Sequence, residues 1–537
     1  MKIFLVIAFF LSVFRVDASI DSLRYRVVFS DKGFMFAQMD SPPSLSARAL
    51  ARRAAFGIGI DSMDYPVCPG YLNSLRDSGF IIAATSRWMN SAVVSVPDKT
   101  KISYLQSLPY VSSVELVWVN PFKPSGKPSK NSKKLRKLQV DSASYYGKAE
   151  AQNNMIGLEP LHMAGFRGNG IRIAVVDAGF KNVDSLAWFR DLKLVAAKDF
   201  VYPPKSIYDG HYHGTSVLSI MASNANYSFT GSAPEAEYCL LRSEDIESEF
   251  PIEEDYWIAA VEYADSLGVD IISSSLGYTQ FDSTFMSYNA FQLDGKTAFI
   301  SIAAGIAVRK GILVVNSAGN DGQLPWKKIS FPGDVDGVLS VGSVNSSKSK
   351  SSFSSVGPSS DGRIKPDVMA MGSGTTVINS SGGLSSGSGT SFASPLICGM
   401  AACLWQAFPT LSVTELVQQI RNSSDRSEKP DSLYGYGIPN AYKLWLSLQE
   451  YPIKKDIPDW YSFPNPADDK LYIANFSGSG SKIKCVVFDM SGKKVIVDSF
   501  NGQYHTLDVS RLEPSVYIVN LYRLGKLMSS SKIKIQR

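Results

Sequence analysis

Short apolar runs that alternate with helical patterns most constrain how this chain can fold. Four such runs lie in its middle, at residues 171–176, 271–274, 312–315 and 339–344. Strands covered on both faces are mostly apolar rather than alternating, as in parallel sheets. Helical patterns, among them residues 257–267 and 298–310, separate the runs. The alternation predicts an α/β domain with a parallel sheet and helices on both of its faces.

Three polar side chains lie where this architecture would bring them together. Asp177 directly follows the first apolar run, and His213 opens a His-Gly-Thr segment that precedes apolar residues at helical spacing. Ser391 lies in the segment GTSFASP, where a Gly/Ser-rich stretch turns into an apolar helix, and we expect Pro395 in the first turn of that helix. Sites in open α/β sheets form at the carboxyl ends of the strands, so the three side chains are expected to meet there.

These residue types suit nucleophilic catalysis. A serine hydroxyl needs an imidazole to take its proton as it attacks a carbonyl, and the imidazole needs a carboxylate on its other nitrogen. Ser391 would be the nucleophile, His213 the general base and then the general acid, and Asp177 the orienting group. The positive end of a helix that begins at Ser391 would favour the developing negative charge.

Two other patterns point to different chemistry. Residues 383–387 match the Gly-x-Ser-x-Gly elbow of α/β hydrolases, but that fold needs a strand before the elbow and a triad histidine after it. The surroundings here read as a Gly/Ser-rich loop, and the one later histidine, His505, falls in another predicted domain. His211 and His213 could be half of a zinc site, yet no completing ligand pattern is present. We therefore assign no metal ligand and no cofactor.

Taken together, these segments resemble a subtilisin-like serine protease, a subtilase of peptidase family S8, over residues 143–448. The resemblance adds Asn320, in the segment SAGNDG, as an oxyanion donor beside the backbone N–H of Ser391. It also implies two walls of the substrate cleft, formed by Ser275, Leu276 and Gly277 and by Ser317, Ala318 and Gly319. Extended peptides would bind there by adding a strand.

The chain departs from the family pattern at several places. Ser216 and Leu396 stand where the family usually has histidines, but neither position belongs to the triad. Residues 279–296 form an insertion after the first cleft wall, and we expect it to shape the cleft. Calcium is possible by family resemblance, although no ligands can be assigned.

Three segments precede the predicted catalytic domain. Residues 1–18 read as a signal peptide, because their apolar core of about 12 residues is too short to span a bilayer. Residues 19–118 read as a small α+β domain, which the resemblance makes a pro-domain and transient inhibitor; an independent accessory domain is the alternative. Residues 119–142 form a basic linker, where we expect processing by the protein itself or by another protease.

The last segment, residues 452–537, reads as a small β-sandwich-like domain with short strands and tight turns. Its FPNPA segment and its final Lys-Ile run resemble the C-terminal sorting domain of the type IX secretion system. This implies export through the periplasm and outer membrane to the surface or medium. A generic domain that binds substrate or glycan is the alternative.

Composition limits the remaining choices. A net charge of +5 over 537 residues is weak evidence for an anionic partner, and much of it comes from the linker, so we assign no nucleic acid partner. Five scattered cysteines suggest no disulfide framework and read as small buried hydrophobes. The expected function is a secreted serine endopeptidase that acts on polypeptides and has no transmembrane helix in its mature form. A catalytically silent subtilase that serves as a surface binding protein, and an esterase, are the alternatives.

Overall fold

The computed structural model describes residues 23–33, 45–96, 100–120, 144–203, 205–448, 460–463, 465–475, 482–501 and 504–536. The predicted signal peptide and nearly all of the predicted basic linker lie outside the described residues. Within those ranges, no helix combines the length and the apolar character needed to cross a membrane.

The N-terminal domain is an antiparallel four-stranded sheet with helices against it, which confirms the α+β prediction. The sheet order is β2-β3-β1-β4. Val27 and Val94 from the two central strands pack with Leu75 and Leu105 from two helices. The elements are β1 (Leu23–Phe29), α1 (Ala47–Ala55), α2 (Pro69–Asp77), β2 (Ile81–Ser86), β3 (Ser91–Val96), α3 (Lys101–Ser107) and β4 (Val111–Trp118).

The central domain contains a seven-stranded parallel sheet, which confirms the predicted fold class. The sheet order is β13-β12-β11-β10-β5-β9-β6, and Ile271 of the central strand faces Ile173 on one side and Leu313 on the other. The strands of this region are β5 (Arg172–Asp177), β6 (Lys193–Asp199), β7 (Asn224–Ala225), β8 (Phe229–Thr230), β9 (Glu237–Arg242), β10 (Ile271–Ser274), β11 (Leu313–Ser317), β12 (Leu339–Val344) and β13 (Val368–Met371). The pair β7–β8 lies outside the main sheet.

Helices cover both faces of this sheet because alternate strand residues point in opposite directions. Ile173 and Val175 belong to a core with the helices α6 and α9, whereas Ala174 and Val176 belong to a second core with α7 and α8. The helices are α4 (Glu150–Met155), α5 (Glu159–Met163), α6 (His213–Ala222), α7 (Ile252–Ser266), α8 (Phe299–Arg309), α9 (Thr390–Ala407), α10 (Val413–Ser423) and α11 (Ala441–Ser447). All five cysteines are buried free thiols, as predicted.

Two local expectations around α9 were wrong. The hydrolase-like segment 383–387 is not a loop: its last four residues belong to strand β15 (Leu384–Ser388), which pairs with β14 (Ser373–Ile378) in an antiparallel hairpin. Pro395 is the sixth residue of α9 rather than part of its first turn. A proline there cannot donate to the carbonyl of Ser391, one turn earlier, and the hydroxyl of Ser275 donates to that carbonyl instead, at 3.0 Å.

Buried ion pairs join the N-terminal domain to helix α7 of the central domain. Arg52 and Arg53 of α1 both donate to the carboxylate of Asp265, each at 2.6 Å. Arg26 of β1 contacts Asp255 at 2.7 Å. All five side chains are almost fully buried, so the interface depends on charges that compensate each other without water.

The C-terminal domain consists of two antiparallel sheets that share one apolar core, as predicted for a β-sandwich-like fold. Their orders are β16-β17-β20 and β19-β18-β21-β22. Leu471, Val487 and Val519 lie in the shared core. The strands are β16 (Trp460–Phe463), β17 (Lys470–Asn475), β18 (Ile483–Asp489), β19 (Lys494–Phe500), β20 (Tyr504–Asp508), β21 (Val516–Arg523) and β22 (Lys526–Lys534).

Candidate active site

The predicted site residues lie where strands of the parallel sheet end and two helices begin. Asp177 is the last residue of β5, and Ser275 follows the end of β10. His213 is the first residue of α6, and Ser391 is the second residue of α9. The two helices pack against each other on the same face of the sheet. The structure therefore brings all four positions to one edge.

Asp177 and His213 form a close pair. Nδ1 of His213 lies 2.9 Å and 3.0 Å from the two carboxylate oxygens of Asp177. The backbone N–H of Ala178 donates to the same carboxylate at 2.7 Å. The Asp177 side chain is only 2% exposed, whereas that of His213 is 27% exposed. The pair thus has a buried carboxylate that fixes an imidazole at the surface of the cleft.

Glycine at position 214 permits this pairing. A Cβ atom there would lie 2.4 Å from the carbonyl oxygen of Gly179 and 3.0 Å from the Cβ of Asp177. Any larger residue would push α6 away from the end of β5. The glycine of the His-Gly-Thr motif is therefore needed for close approach of helix and strand.

The charge of Asp177 also changes the titration of His213. Burial on its own lowers the pKa of the imidazole, but the charge of Asp177, its hydrogen bond and the charge of Glu244 outweigh burial. The net result is a raised pKa for His213. The imidazolium form is thus stabilised where a general base would need to hold a proton.

Ser391 sits beside this pair, with its hydroxyl on another acceptor. Its Oγ donates to the backbone carbonyl of Ser275 at 3.2 Å, and only 9% of the residue is exposed. No hydrogen bond joins Ser391 to His213 among the described residues. The ring of the next residue, Phe392, lies 5.8 Å from the imidazole of His213, so the two helix starts are in contact.

Asn320 lies against the first turn of α9. Its Oδ1 accepts the backbone N–H of Thr390 at 2.9 Å and the Thr390 hydroxyl at 3.1 Å. This orientation leaves the amide nitrogen as the donor on the open side. A Cβ atom on Gly389 would lie 3.7 Å from that nitrogen, so the amide group borders the approach to Ser391.

The two predicted walls of the cleft contact each other at their base. The hydroxyl of Ser317 donates to the carbonyl of Leu276 at 3.4 Å. The backbone N–H of Gly319 donates to the hydroxyl of Thr390 at 3.2 Å, which ties this wall to α9. Ala318 is fully buried beneath. A Cβ atom on Gly277 would lie 2.2 Å from the hydroxyl of Ser330, so only glycine fits there.

Sequence reasoning missed an acidic group next to the histidine. The charge of Glu244 is among the influences that raise the pKa of His213, and Glu244 accepts the hydroxyl proton of Tyr278. Burial raises the pKa of Glu244 to about 7, although the Tyr278 hydrogen bond acts in the opposite direction. The density of acidic residues from 244 to 255 was the available signal, but only the packed structure shows which of them face the site.

No metal centre emerges in the part of the chain that the structure describes. There, no group of three or more His, Cys, Asp or Glu side chains is arranged to hold an ion. His211 instead packs its ring against that of Tyr212, with 4.3 Å between the ring centroids and a tilt of 40° between the ring planes. Burial, followed by the charge of His213, lowers its pKa.

Three family models match successive parts of the chain. The subtilase family matches residues 168–437. The peptidase S8 propeptide domain of Bacteroidota matches residues 24–136, and the secretion system C-terminal sorting domain matches residues 462–536. The three matches follow the three folded domains in order. The N-terminal domain is thus a propeptide domain, and the C-terminal domain is a type IX sorting domain that indicates secretion and attachment to the cell surface.

Two subtilisins agree with this assignment. Subtilisin DY of Bacillus licheniformis is 31% identical over 292 residues, which cover 53% of this chain and 95% of that protein. Subtilisin E of Bacillus subtilis is 30% identical over 284 residues, which cover 52% of this chain and 67% of that protein. The solved structure of MycP1 from Mycobacterium smegmatis is 20% identical, with a TM-score of 0.45 over 60% of this chain and 90% of that one.

These matches, the parallel sheet and the site at its edge lead to one conclusion. The protein is a secreted serine endopeptidase that is made as a precursor, and the chain belongs to the subtilase family.

Proposed function

We propose that the protein cleaves peptide bonds with a triad of Asp177, His213 and Ser391, through an acyl-enzyme on Ser391. The observation that carries this proposal is the pairing of Asp177 with Nδ1 of His213, at 2.9 Å and 3.0 Å. The pairing leaves Nε2 as the nitrogen that can accept a proton from serine. It also supplies the charge that an imidazolium needs during the reaction.

Acylation would proceed in two steps. The Oγ of Ser391 bonds to the scissile carbonyl carbon while its proton passes to His213. The carbon–nitrogen bond then breaks, and His213 gives the proton to the leaving amine. Water repeats the sequence to release the acid and restore the serine. The hydroxyl of Ser391 must first leave the carbonyl of Ser275, so we expect substrate binding to turn it toward His213.

Asn320 and the backbone of Ser391 would stabilise the oxyanion. The Oδ1 of Asn320 is committed to Thr390, which directs the amide N–H groups outward. The backbone N–H of Ser391 lies in the first turn of α9, where helical amides have no partner within the helix. Two donors would then converge where negative charge develops.

The substrate backbone would lie between the two walls. Ser275, Leu276 and Gly277 follow β10, and Ser317, Ala318 and Gly319 follow from the end of β11. The glycine in each wall lets the wall backbone pack closely on Ser330, since a Cβ atom at Gly277 or Gly319 would lie 2.2 Å or 3.2 Å from its hydroxyl. The wall backbone would then pair with an extended chain. Residues 143–448 would form the catalytic unit.

The flanking segments would control this activity. Residues 1–18 would be removed as a signal peptide, and residues 19–118 would inhibit the enzyme until cleavage within the linker 119–142. Residues 452–537 would engage the type IX secretion machinery. The buried ion pairs between α1 and α7 support a propeptide that stays bound to the folded enzyme.

Steady-state kinetics on variants test the nucleophile. Ser391→Ala should lower kcat for a peptide substrate by about 10⁶. Ser394→Ala and Ser385→Ala are matched controls, because the first lies three residues further along the same helix and the second is the serine of the hydrolase-like segment. Both controls should stay within tenfold of wild type. A loss at Ser385 instead, with ester turnover, would favour the esterase.

A further inference from the structure

A cluster of carboxylates borders the candidate active site on the side of Glu244. We call it the acidic rim and define it as Glu244, Asp245, Glu249, Glu253 and Asp282. The members are linked through the backbone: the N–H of Asp245 donates to Glu253 at 2.5 Å, and the N–H of Glu249 donates to Asp282 at 3.1 Å. Asp282 belongs to the insertion 279–296, so this insertion helps to build the rim.

The rim brings five carboxyl groups together without a cation to match them. Among the described residues, no Lys, Arg or His side chain forms an ion pair with any of its five members. The nearest arginine in sequence, Arg242, is already paired with Asp199 at 3.1 Å. A cation that comes from elsewhere would therefore meet no competing partner and would favour the ionised form of these carboxyls.

One oxygen of the rim is buried and unsatisfied. Glu253 is 1% exposed, and its Oε2 has no hydrogen-bond partner among the described residues. Burial, together with the charges of Glu244 and Asp282, raises the pKa of Glu249 to about 8. A buried carboxylate oxygen without a partner is costly, and a bound cationic side chain would relieve both the missing bond and the mutual repulsion.

The end of the propeptide domain lies next to the acidic rim. Trp118, the last residue of β4, makes an edge contact with Phe250 at 6.4 Å between ring centroids, and Val119 packs against the same apolar group. Phe250 directly follows Glu249. Lys123 lies five residues beyond Trp118, and five extended residues reach roughly 16–18 Å.

The segment that follows has the complementary charge. Residues 123–137 contain six lysines and one arginine and no acidic residue. We propose that the acidic rim binds lysine and arginine side chains of this segment, so that the enzyme cleaves its own precursor there and prefers basic peptides. This proposal rests on the proposed function, because it concerns the substrate of the same site.

Matched peptides test the proposal on the processed enzyme. One peptide carries the sequence of residues 119–140, and the other has glutamine at every lysine and arginine. We expect wild type to cleave the basic peptide with a kcat/KM about fivefold higher or more, which is the size of effect that an exposed charge pair gives. The ratio should fall toward one as the salt concentration rises from about 0.05 M to about 1 M.

Variants locate the source of the preference. Glu249→Gln with Asp282→Asn removes two carboxyl groups that a cation could pair with and should lower the ratio of the two kcat/KM values severalfold. Asp191→Asn with Glu428→Gln removes two exposed charges elsewhere and should leave the ratio unchanged. Equal cleavage of both peptides by wild type, a ratio insensitive to salt, or an unchanged ratio in the rim variant would overturn the proposal.

A general protein substrate, casein, separates this failure from that of the proposed function. If casein is hydrolysed and the basic peptide has no advantage, the rim proposal fails and the catalytic one stands. If neither casein nor either peptide is hydrolysed by processed enzyme, the proposed function fails and the rim proposal fails with it. Mass spectrometry of the wild-type precursor should place the new N-terminus within residues 123–138; an N-terminus outside that range contradicts self-cleavage at the basic segment.

Discussion

At the scale of single residues, the proposed site depends on two charges. One is the buried charge of Asp177, and the other is the positive charge that His213 would carry while it holds a proton. Asp177 lies under His213 and keeps its charge away from water. The side chain of His213 is 27% exposed, as the proposed proton exchange with substrate requires. The raised pKa of His213 is the measurable trace of this arrangement, although burial works against it.

This arrangement predicts a pH dependence. A general base must be neutral, so kcat/KM should fall as the pH drops through the pKa of His213, which lies above the ordinary 6.5. Asp177→Asn removes the main influence that raises this pKa, so the acidic limb of the pH profile should move to lower pH. The rate at the optimum should fall by about 10⁴, by analogy with the same change in a serine protease triad. An acidic limb that stays in place would contradict the pairing.

The oxyanion assignment makes a separate prediction at this scale. Asn320→Ala removes one donor that is aimed at the transition state, so kcat should fall by about 10²–10³ with little change in KM. Asn345→Ala serves as a control, because the side chain of Asn345 accepts the N–H of Ser347 in an exposed turn and, in the described part of the chain, has no hydrogen bond to α9. If kcat/KM fell by the same factor through a higher KM alone, with kcat unchanged, Asn320 would be assigned to substrate binding.

The sequence predicts the three candidate triad residues, but it does not predict which side chains lie next to them. Asp177, His213 and Ser391 lie in short motifs, because the chemistry requires those residue types at the ends of local elements. Glu244 has no motif: its nearness to His213 arises from the packing of the loop after β9. The hydrogen bond of Ser391 to Ser275 likewise depends on two segments that are 116 residues apart.

At the scale of elements, Pro395 shapes the start of α9. It removes the helical donor for the carbonyl of Ser391, and the hydroxyl of Ser275 takes that donor's place. Removing this hydroxyl in wild type leaves a buried carbonyl unsatisfied, which costs about 1–3 kcal/mol of the free energy of unfolding. In a Pro395→Ala background the restored backbone N–H can serve the same carbonyl.

A double-mutant cycle measures whether the backbone N–H of residue 395 can replace the Ser275 hydroxyl as the donor to the carbonyl of Ser391. We expect Ser275→Ala to lower the free energy of unfolding by about 1–3 kcal/mol in wild type and by much less in the Pro395→Ala background. The four proteins would be unfolded in urea after inactivation with a serine-directed inhibitor, so that self-digestion does not contribute. Equal costs in both backgrounds would show that the two residues act independently.

Most elements could be predicted because their periodicity is strong. The buried strands and α8 appear within one residue of the predicted bounds at most ends. Helix α7 starts at Ile252 rather than at residue 257, because Glu254 and Asp255 look like exposed polar residues in sequence but are buried against Arg26. The composition of residues 383–387 predicts a loop, but most of this segment belongs to β15, whose strand character comes from pairing with β14 rather than from propensity.

At the scale of the whole molecule, charge pairs join the propeptide domain to the enzyme. The carboxylate of Asp265 is fully buried and forms ion pairs with both Arg52 and Arg53. Sequence could not reveal this interface, because its partners lie more than 200 residues apart. Its buried ion pairs fit a propeptide domain that docks on the folded enzyme.

Removal of one partner should therefore weaken the precursor. In the full-length Ser391→Ala precursor, Asp265→Asn should lower the free energy of unfolding by about 3–5 kcal/mol, because two buried guanidinium groups lose their counter-charge. Asp361→Asn is the matched control: it breaks a surface pair with Arg363 and should cost at most about 1 kcal/mol. Comparable effects of the two changes would argue against a buried ionic interface.

The most direct test of the central claim is the intact mass of secreted protein before and after reaction with a fluorophosphonate probe. The account predicts a single adduct on a wild-type chain that has lost roughly its first 140 residues, and no adduct on Ser391→Ala. A folded, processed wild-type chain that takes no adduct would contradict the account and support a catalytically silent subtilase.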